Sequence, residues 1–228
     1  MKDAPLTGYL LHARAYQERR AIYQFFSREH GVVHGVGVRG MPSFALIELF
    51  ASGQSSLKNF NQIHLKSSQN IALKNTFGQN QYALLYLNEI TTKLISQENP
   101  CPALWQSYHN SIQSLQKTNE LAVIKHILRH FETALFDELG VSIDWGADSM
   151  GRVIDPRACY EFIPNQGFVS MAHGRLLGKT MLAIAQHDGI DDVYLNDVGQ
   201  IYRTLIDFLL DYRPLNSRKL WAEQLKYR

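Results

Sequence analysis

The chain has 228 residues, 45% apolar and 11% aromatic, enough material for one large core or two modest ones. No window approaches twenty uninterrupted apolar residues and the stretch Met1 to Tyr9 lacks the basic-then-apolar run of a secretory signal, so no membrane helix is expected and a cytoplasmic address is. The formal charge of +2 hides an asymmetry: residues 1–78 hold nine Lys/Arg against four Asp/Glu, and residues 79–228 hold fourteen against seventeen.

Three runs of β character come first, Gly8 to Ala13, Ala21 to Ser27 and Gly31 to Arg39. Polar breaks separate them at Tyr16 to Arg20 and at Arg28 to Gly31, which is the spacing of a meander. Two more extended runs follow, Phe44 to Ala51 and Leu57 to Lys66. Five short strands ahead of any helix predict a small closed barrel of the OB type, over residues 1–78. In the third run Gly31, Val33, Gly35 and Gly37 share one face. Interior glycines there point to tight coiling or to close approach of another group.

Past Gly78 the apolar period lengthens to that of a helix. Ala83, Leu87, Ile90 and Leu94 form one stripe. Trp105, Tyr108, Ile112 and Leu115 form a second, opened by Pro102. Leu121, Ile124, Leu128, Phe131, Leu135 and Leu139 form a third, closed by Gly140. Three such helices with short connections predict a bundle. Turn residues return between 141 and 174 and flank Cys159 to Ile163 and Phe168 to Met171, a small β-hairpin inserted in a mainly α-helical domain of residues 79–228. A short helix from Lys179 to His187 follows, then a longer one capped at Asn196-Asp197, and a basic last segment with Ser217 as its cap. The fold class is therefore α+β, an N-terminal barrel followed by helices.

Catalytic arrangements are not found. Cys101 and Cys159 stand 58 residues apart with no CxxC, which is too little for a four-ligand zinc site. His126 and His130 have the spacing of paired ligands but no third partner, Gly178-Lys179-Thr180 matches only the tail of a phosphate loop, and GxSxG is absent. No metal, no cofactor and no enzymatic activity are expected. A barrel balance of +5 suits an anionic partner through counterion release, and an ordinary solvated surface also accounts for it.

Four stretches carry a resemblance to one family. Gly8 to Gly40 resembles the N-terminal signature of the bacterial RecO recombination mediators. Leu84 to Glu89 is similar to that family's "YINEL" helix, Leu128 to Gly140 to its "LRRFELALL" helix, and Pro214 to Trp221 to its "PLKSRELF" end. The order and spacing agree along nearly the whole chain.

The resemblance implies a non-enzymatic protein of DNA repair. It implies binding of single- and double-stranded DNA, annealing of complementary strands, docking on the acidic tail of single-stranded DNA-binding protein and, with RecR, loading of RecA. Carried onto this sequence, the DNA-facing candidates are Arg14, Arg19, Arg20, Arg28 and Arg39 in the barrel with Arg218 and Lys219 near the C-terminus. Tyr16 and Tyr23 are candidates for stacking on bases. Lys125 and Arg129, with Leu128 and Phe131 lining a pocket, are the candidates for the acidic tail, against the plainer reading in which Arg129 pairs with Glu120 or Glu132.

Two departures accompany the match. After Arg39 the chain reaches Phe44 without the family's longer basic segment. Trp145, Gly146 and Met150 stand where some members have zinc-binding cysteines, so a hairpin held by packing is expected. An adaptor whose barrel holds a peptide is the alternative function.

Overall fold

The computed structural model describes residues 5–66, 78–186 and 191–226. Strands β1 (Pro5–Gln17), β2 (Arg20–Ser27), β3 (Gly31–Val38), β4 (Ile47–Ser52) and β5 (Leu57–Leu65) close into a barrel in the order β1-β2-β3-β5-β4, with β4 returning to β1. β3 and β5 run parallel, and the other neighbours are antiparallel. This is the OB-type barrel that the strand pattern predicts.

Alternation along each strand fills the interior with Leu6, Leu10, Tyr23, Phe25, Val33, Ile47, Leu49 and Phe60. Two expectations are corrected. β4 begins at Ile47, because Phe44 adopts a left-handed backbone (φ 60°) that ends the preceding turn and cannot continue a strand. β1 runs on through Tyr16 to Gln17, with irregular register after Leu10 and after Ala15, so the expected break shrinks to Glu18-Arg19.

Helices α1 (Gln79–Leu94), α2 (Pro102–Leu115), α3 (Leu121–Glu138), α4 (Gly178–Gln186), α5 (Leu195–Leu209) and α6 (Asn216–Lys226) follow. A separate three-stranded sheet is formed by β6 (Cys159–Ile163), β7 (Gly167–Ser170) and β8 (Leu176–Leu177), one strand more than the expected hairpin. Trp145 and Phe162 pack on Phe168 at centroid distances of 5.2 and 5.3 Å. Gly140, at φ 68°, ends α3 as its position predicts, and Val141 N–H reaches back to Phe136 O.

The strand-to-helix change lies near Gly78, whereas the compact units divide the chain elsewhere. One unit is 1–120 with 214–228, and the other is 121–213. The three helices of the expected bundle fall on both sides of the division, α1 and α2 in the first unit and α3 in the second. α1 packs with α2 and α6 in the first unit, and α3 packs with α5 in the second. Helix ends differ as well. α5 is preceded by a 3-10 turn, Asp192–Tyr194, whose cap is the Asp191 carboxylate accepting from Val193 N–H; Asn196 and Asp197 lie inside the helix. The expected end of α4 at His187 lies outside the described residues. No described helix is long and apolar enough to cross a membrane.

The unit division sharpens the charge asymmetry. The barrel-bearing unit holds fifteen Lys/Arg against eight Asp/Glu, a balance of +7, and the unit 121–213 holds eight against thirteen, a balance of −5.

Candidate nucleic-acid interface

At one end of the barrel the β1–β2 turn brings three arginines together. Arg39 N–H donates to Arg19 O at 3.0 Å, and Arg39 Nε donates to Arg20 O at 3.2 Å. Arg20 Nη2 reaches Val36 O at 3.4 Å and Asn59 Oδ1 at 3.3 Å, which holds the guanidinium across the barrel rim. Arg14 lies on the same overhang of β1, opposite Ile22, with Tyr16 beside it 52% exposed.

Arg28 does not join this group. It follows the far end of β2, roughly 26 Å from Arg20 at about 3.3 Å per strand residue, and its guanidinium lies 5.8 Å from the Trp105 ring centroid.

Charge pairing separates the barrel's lysines from its arginines. Lys58, buried, pairs with Glu98 at 3.4 Å, and Lys66 pairs with Glu48 at 2.7 Å. Arg14, Arg19, Arg20, Arg28 and Arg39 form no ion pair with a carboxylate among the described residues. Glu29, next to Arg28, accepts instead from Thr7 N–H at 2.9 Å and from the Ser27 hydroxyl at 3.3 Å. Cations held by backbone and amide oxygens keep their net charge available to a polyanion.

Tyr23 is not a stacking platform. It is 2% exposed inside the barrel, and its hydroxyl donates to Val38 O at 2.8 Å. The sequence reading missed a different aromatic group, on α2 and β1. Trp105 stacks on His109 at 5.3 Å with 10° between the rings, and Tyr9 Oη lies 2.7 Å from His109 Nδ1. Burial holds the His109 imidazole below its ordinary value, with the Arg28 charge acting the same way, and burial pushes the Tyr9 hydroxyl up to about 12. The signal for this cluster was Trp105 and His109 four positions apart on one helix face.

The C-terminal candidates sit on α6, in the same compact unit. Arg218 lies 5.4 Å from the Tyr86 ring centroid, and Lys219 is exposed. Ser217 was expected to cap this helix with its own side chain; instead it donates outward. Its N–H and its hydroxyl reach Glu89 Oε2 at 2.8 and 2.7 Å, and Asn216 N–H reaches Glu89 Oε1 at 2.9 Å. The cap is thus supplied by α1. Its neighbour Asn88 is equally committed: Nδ2 donates to Leu10 O and Leu11 O at 3.2 and 3.0 Å, and Oδ1 accepts from the Tyr108 hydroxyl.

The tail candidates lie in the unit 121–213. Lys125 Nζ donates to Asn196 Oδ1 at 3.1 Å. Leu128 and Phe131 are core residues, 5% and 0% exposed. Arg129 Nη2 donates to Glu132 Oε1 at 2.7 Å; Nε and Oε2 also approach to 2.5 Å, without the alignment of a hydrogen bond. The guanidinium lies 5.9 Å from the Tyr202 ring centroid and against Gly199, where a Cβ would sit 2.5 Å from Nη1. Glu132 is fully buried, and Arg129 has the partner that the plainer reading names. His126 Nε2 lies 2.5 Å from Asp192 Oδ1, and no cluster of three or more His, Cys, Asp or Glu suited to a metal occurs among the described residues.

Comparison with known proteins adds a second line of support. The family model described as the recombination protein O C terminal matches residues 78–189. The chain is 33% identical to a DNA repair protein RecO from Pseudoalteromonas atlantica over 98% of this chain and 96% of that one. It is 30% identical to the RecO of Tolumonas auensis, covering 94% and 93%. It is 25% identical to that of Legionella pneumophila, covering 97% and 99%.

Proposed function

The chain belongs to the RecO family of DNA repair proteins, and from that premise we propose that it is a recombination mediator whose barrel grips single- and double-stranded DNA by the phosphate backbone. The observation that carries the reading is the group Arg14, Arg19, Arg20 and Arg39 at one barrel end, without carboxylate partners among the described residues, on a unit of net charge +7. Neutralising phosphates on two strands at once lowers their repulsion, which favours annealing of complementary strands without nucleotide hydrolysis. In this reading the protein is cytoplasmic, needs no cofactor and is not an enzyme. It acts with RecR to help load RecA onto DNA coated by single-stranded DNA-binding protein.

The same reading keeps α3 for the coat protein's acidic tail, with Lys125 and Arg129 as its cations. Because Arg129 is held by Glu132, a tail carboxylate has to compete with that pair.

The test is a titration of fluorescent single-stranded DNA at several salt concentrations. The expected result is a steep loss of affinity with salt, and a slope smaller by about 1 for each of Arg14→Glu and Arg19→Glu, alike for all base sequences. Salt-independent binding, or variants that change base preference while keeping the slope, would overturn the reading.

A further inference from the structure

Helix α6 is joined to the barrel-bearing unit through one side chain. Glu89 on α1 receives three hydrogen bonds from the first turn of α6, and Lys93 Nζ lies 3.2 Å from its Oε1. No other carboxylate caps α6 among the described residues. Around this contact, Leu215 and Ser217 are buried and Tyr82 packs on Trp221 at 6.3 Å. Asn216, Ser217 and Leu220 of α6 line a cavity of about 550 Å³ that is also lined by His12 and Ala13 of β1, the residues that lead into Arg14.

We infer that Glu89 is a positioning residue for nucleic-acid binding: by clamping the N-terminus of α6 it sets Lys219 and Arg218 beside the β1 overhang, so that barrel and C-terminal helix present one phosphate-binding surface. This rests on the nucleic-acid reading above. An acidic residue thereby contributes to binding a polyanion without touching it. Its charge is taken up by the α6 N–H groups, the Ser217 hydroxyl and Lys93, so it repels phosphate little while fixing two cations that a free helix would carry at random.

A double-mutant cycle on the full chain tests this, with a fluorescent deoxythymidine oligonucleotide as the probe. Glu89→Gln keeps the shape and removes the charge. The expected result is a salt slope reduced by about 1 to 2. Lys219→Glu is expected to weaken binding in the unaltered chain and to have little further effect in the Glu89→Gln background. Equal losses from Lys219→Glu in both backgrounds, or an unchanged slope in Glu89→Gln, would overturn the inference.

If Glu89→Gln fails to fold, Ser217→Ala removes one of the three donors and should give the same non-additivity in smaller measure, and additivity there overturns it equally. Amide exchange over residues 216–224 separates the two levels of the reading. Absence of salt-dependent binding in the unaltered chain counts against the nucleic-acid function. Unchanged exchange of α6 in Glu89→Gln counts against the clamp.

Discussion

The ring of Phe60 occupies the space that a side chain at Gly35 would need: a Cβ on Gly35 would lie 2.4 Å from Cε1 and 2.5 Å from Cζ. Phe60 is 3% exposed and packs edge-on to Phe25 at 6.0 Å, so it has no room to retreat. Gly35→Ala is therefore expected to destabilise the protein by about 1–3 kcal/mol, the usual range for overpacking a core. Urea unfolding measures it, and Phe60→Leu in the same chain should recover part of the loss.

Asn88 joins three elements from a site only 6% exposed, donating to two β1 carbonyls and accepting from Tyr108 on α2. Asn88→Ala takes a donor from the Leu10 and Leu11 carbonyls, and each buried polar group left without a partner costs about 1–3 kcal/mol. A loss of more than about 2 kcal/mol is expected. Tyr108→Phe removes one bond to Asn88 Oδ1 and should cost less, and the opposite order in the same unfolding assay would contradict this.

Arg129→Ala removes the ion-pair partner of a fully buried carboxylate, Glu132. Breaking a buried pair costs about 3–5 kcal/mol, and the partial exposure of the arginine places the expected loss at the lower end. The unit 121–213 should lose thermal stability while naked-DNA binding by the folded protein is unchanged. Lys125→Ala, which gives up a bond to an exposed asparagine, should leave stability within about 0.5 kcal/mol. It is therefore the cleaner variant for testing capture of an acidic tail.

Glu89 makes the attachment of α6 pH-dependent. Burial pushes its carboxyl up, but bonds from Ser217 N–H, the Ser217 hydroxyl, Asn216 N–H and Lys93 together outweigh this and hold it below its ordinary value of 4.5. A carboxylate depressed in the folded state contributes its stabilisation fully above the unfolded value and loses it as pH falls through the folded value. Stability should thus fall as the pH drops below about 5, with a smaller slope in Glu89→Gln. Identical slopes in thermal melts of the two proteins would show that the clamp does not titrate.

The barrel and the helices were legible because their apolar periods of two and about three and a half are local properties of the chain. What the periods did not carry is which helices meet. α6 joins α1 across more than a hundred intervening residues, and nothing near Pro214 announces it. Tyr23 was legible in principle, since it alternates with Ala21 and Phe25 on the inward face of β2. Its aromatic ring beside a basic turn invited the stacking reading instead.

Asn88 shows the same difficulty in a helix: a polar residue beside an apolar stripe looks like its solvated edge until its partners are known, here a carbonyl pair on β1, whereas the pairing of Glu132 with Arg129 three positions away was legible from spacing. The basic turn around Arg19 and Arg20 was visible from charge alone. The distance of Arg28 from it follows only from the length of β2.

The barrel-bearing unit is written in two pieces, with residues 121–213 inserted between them. During translation, at roughly 5–20 residues per second, Glu89 leaves the ribosome well before Asn216 and Ser217 are made, and the whole acidic unit is polymerised in the interval. A message broken between codons 120 and 214 therefore encodes the barrel arginines without α6, and under the proposed function its product would lack the cations at 218 and 219.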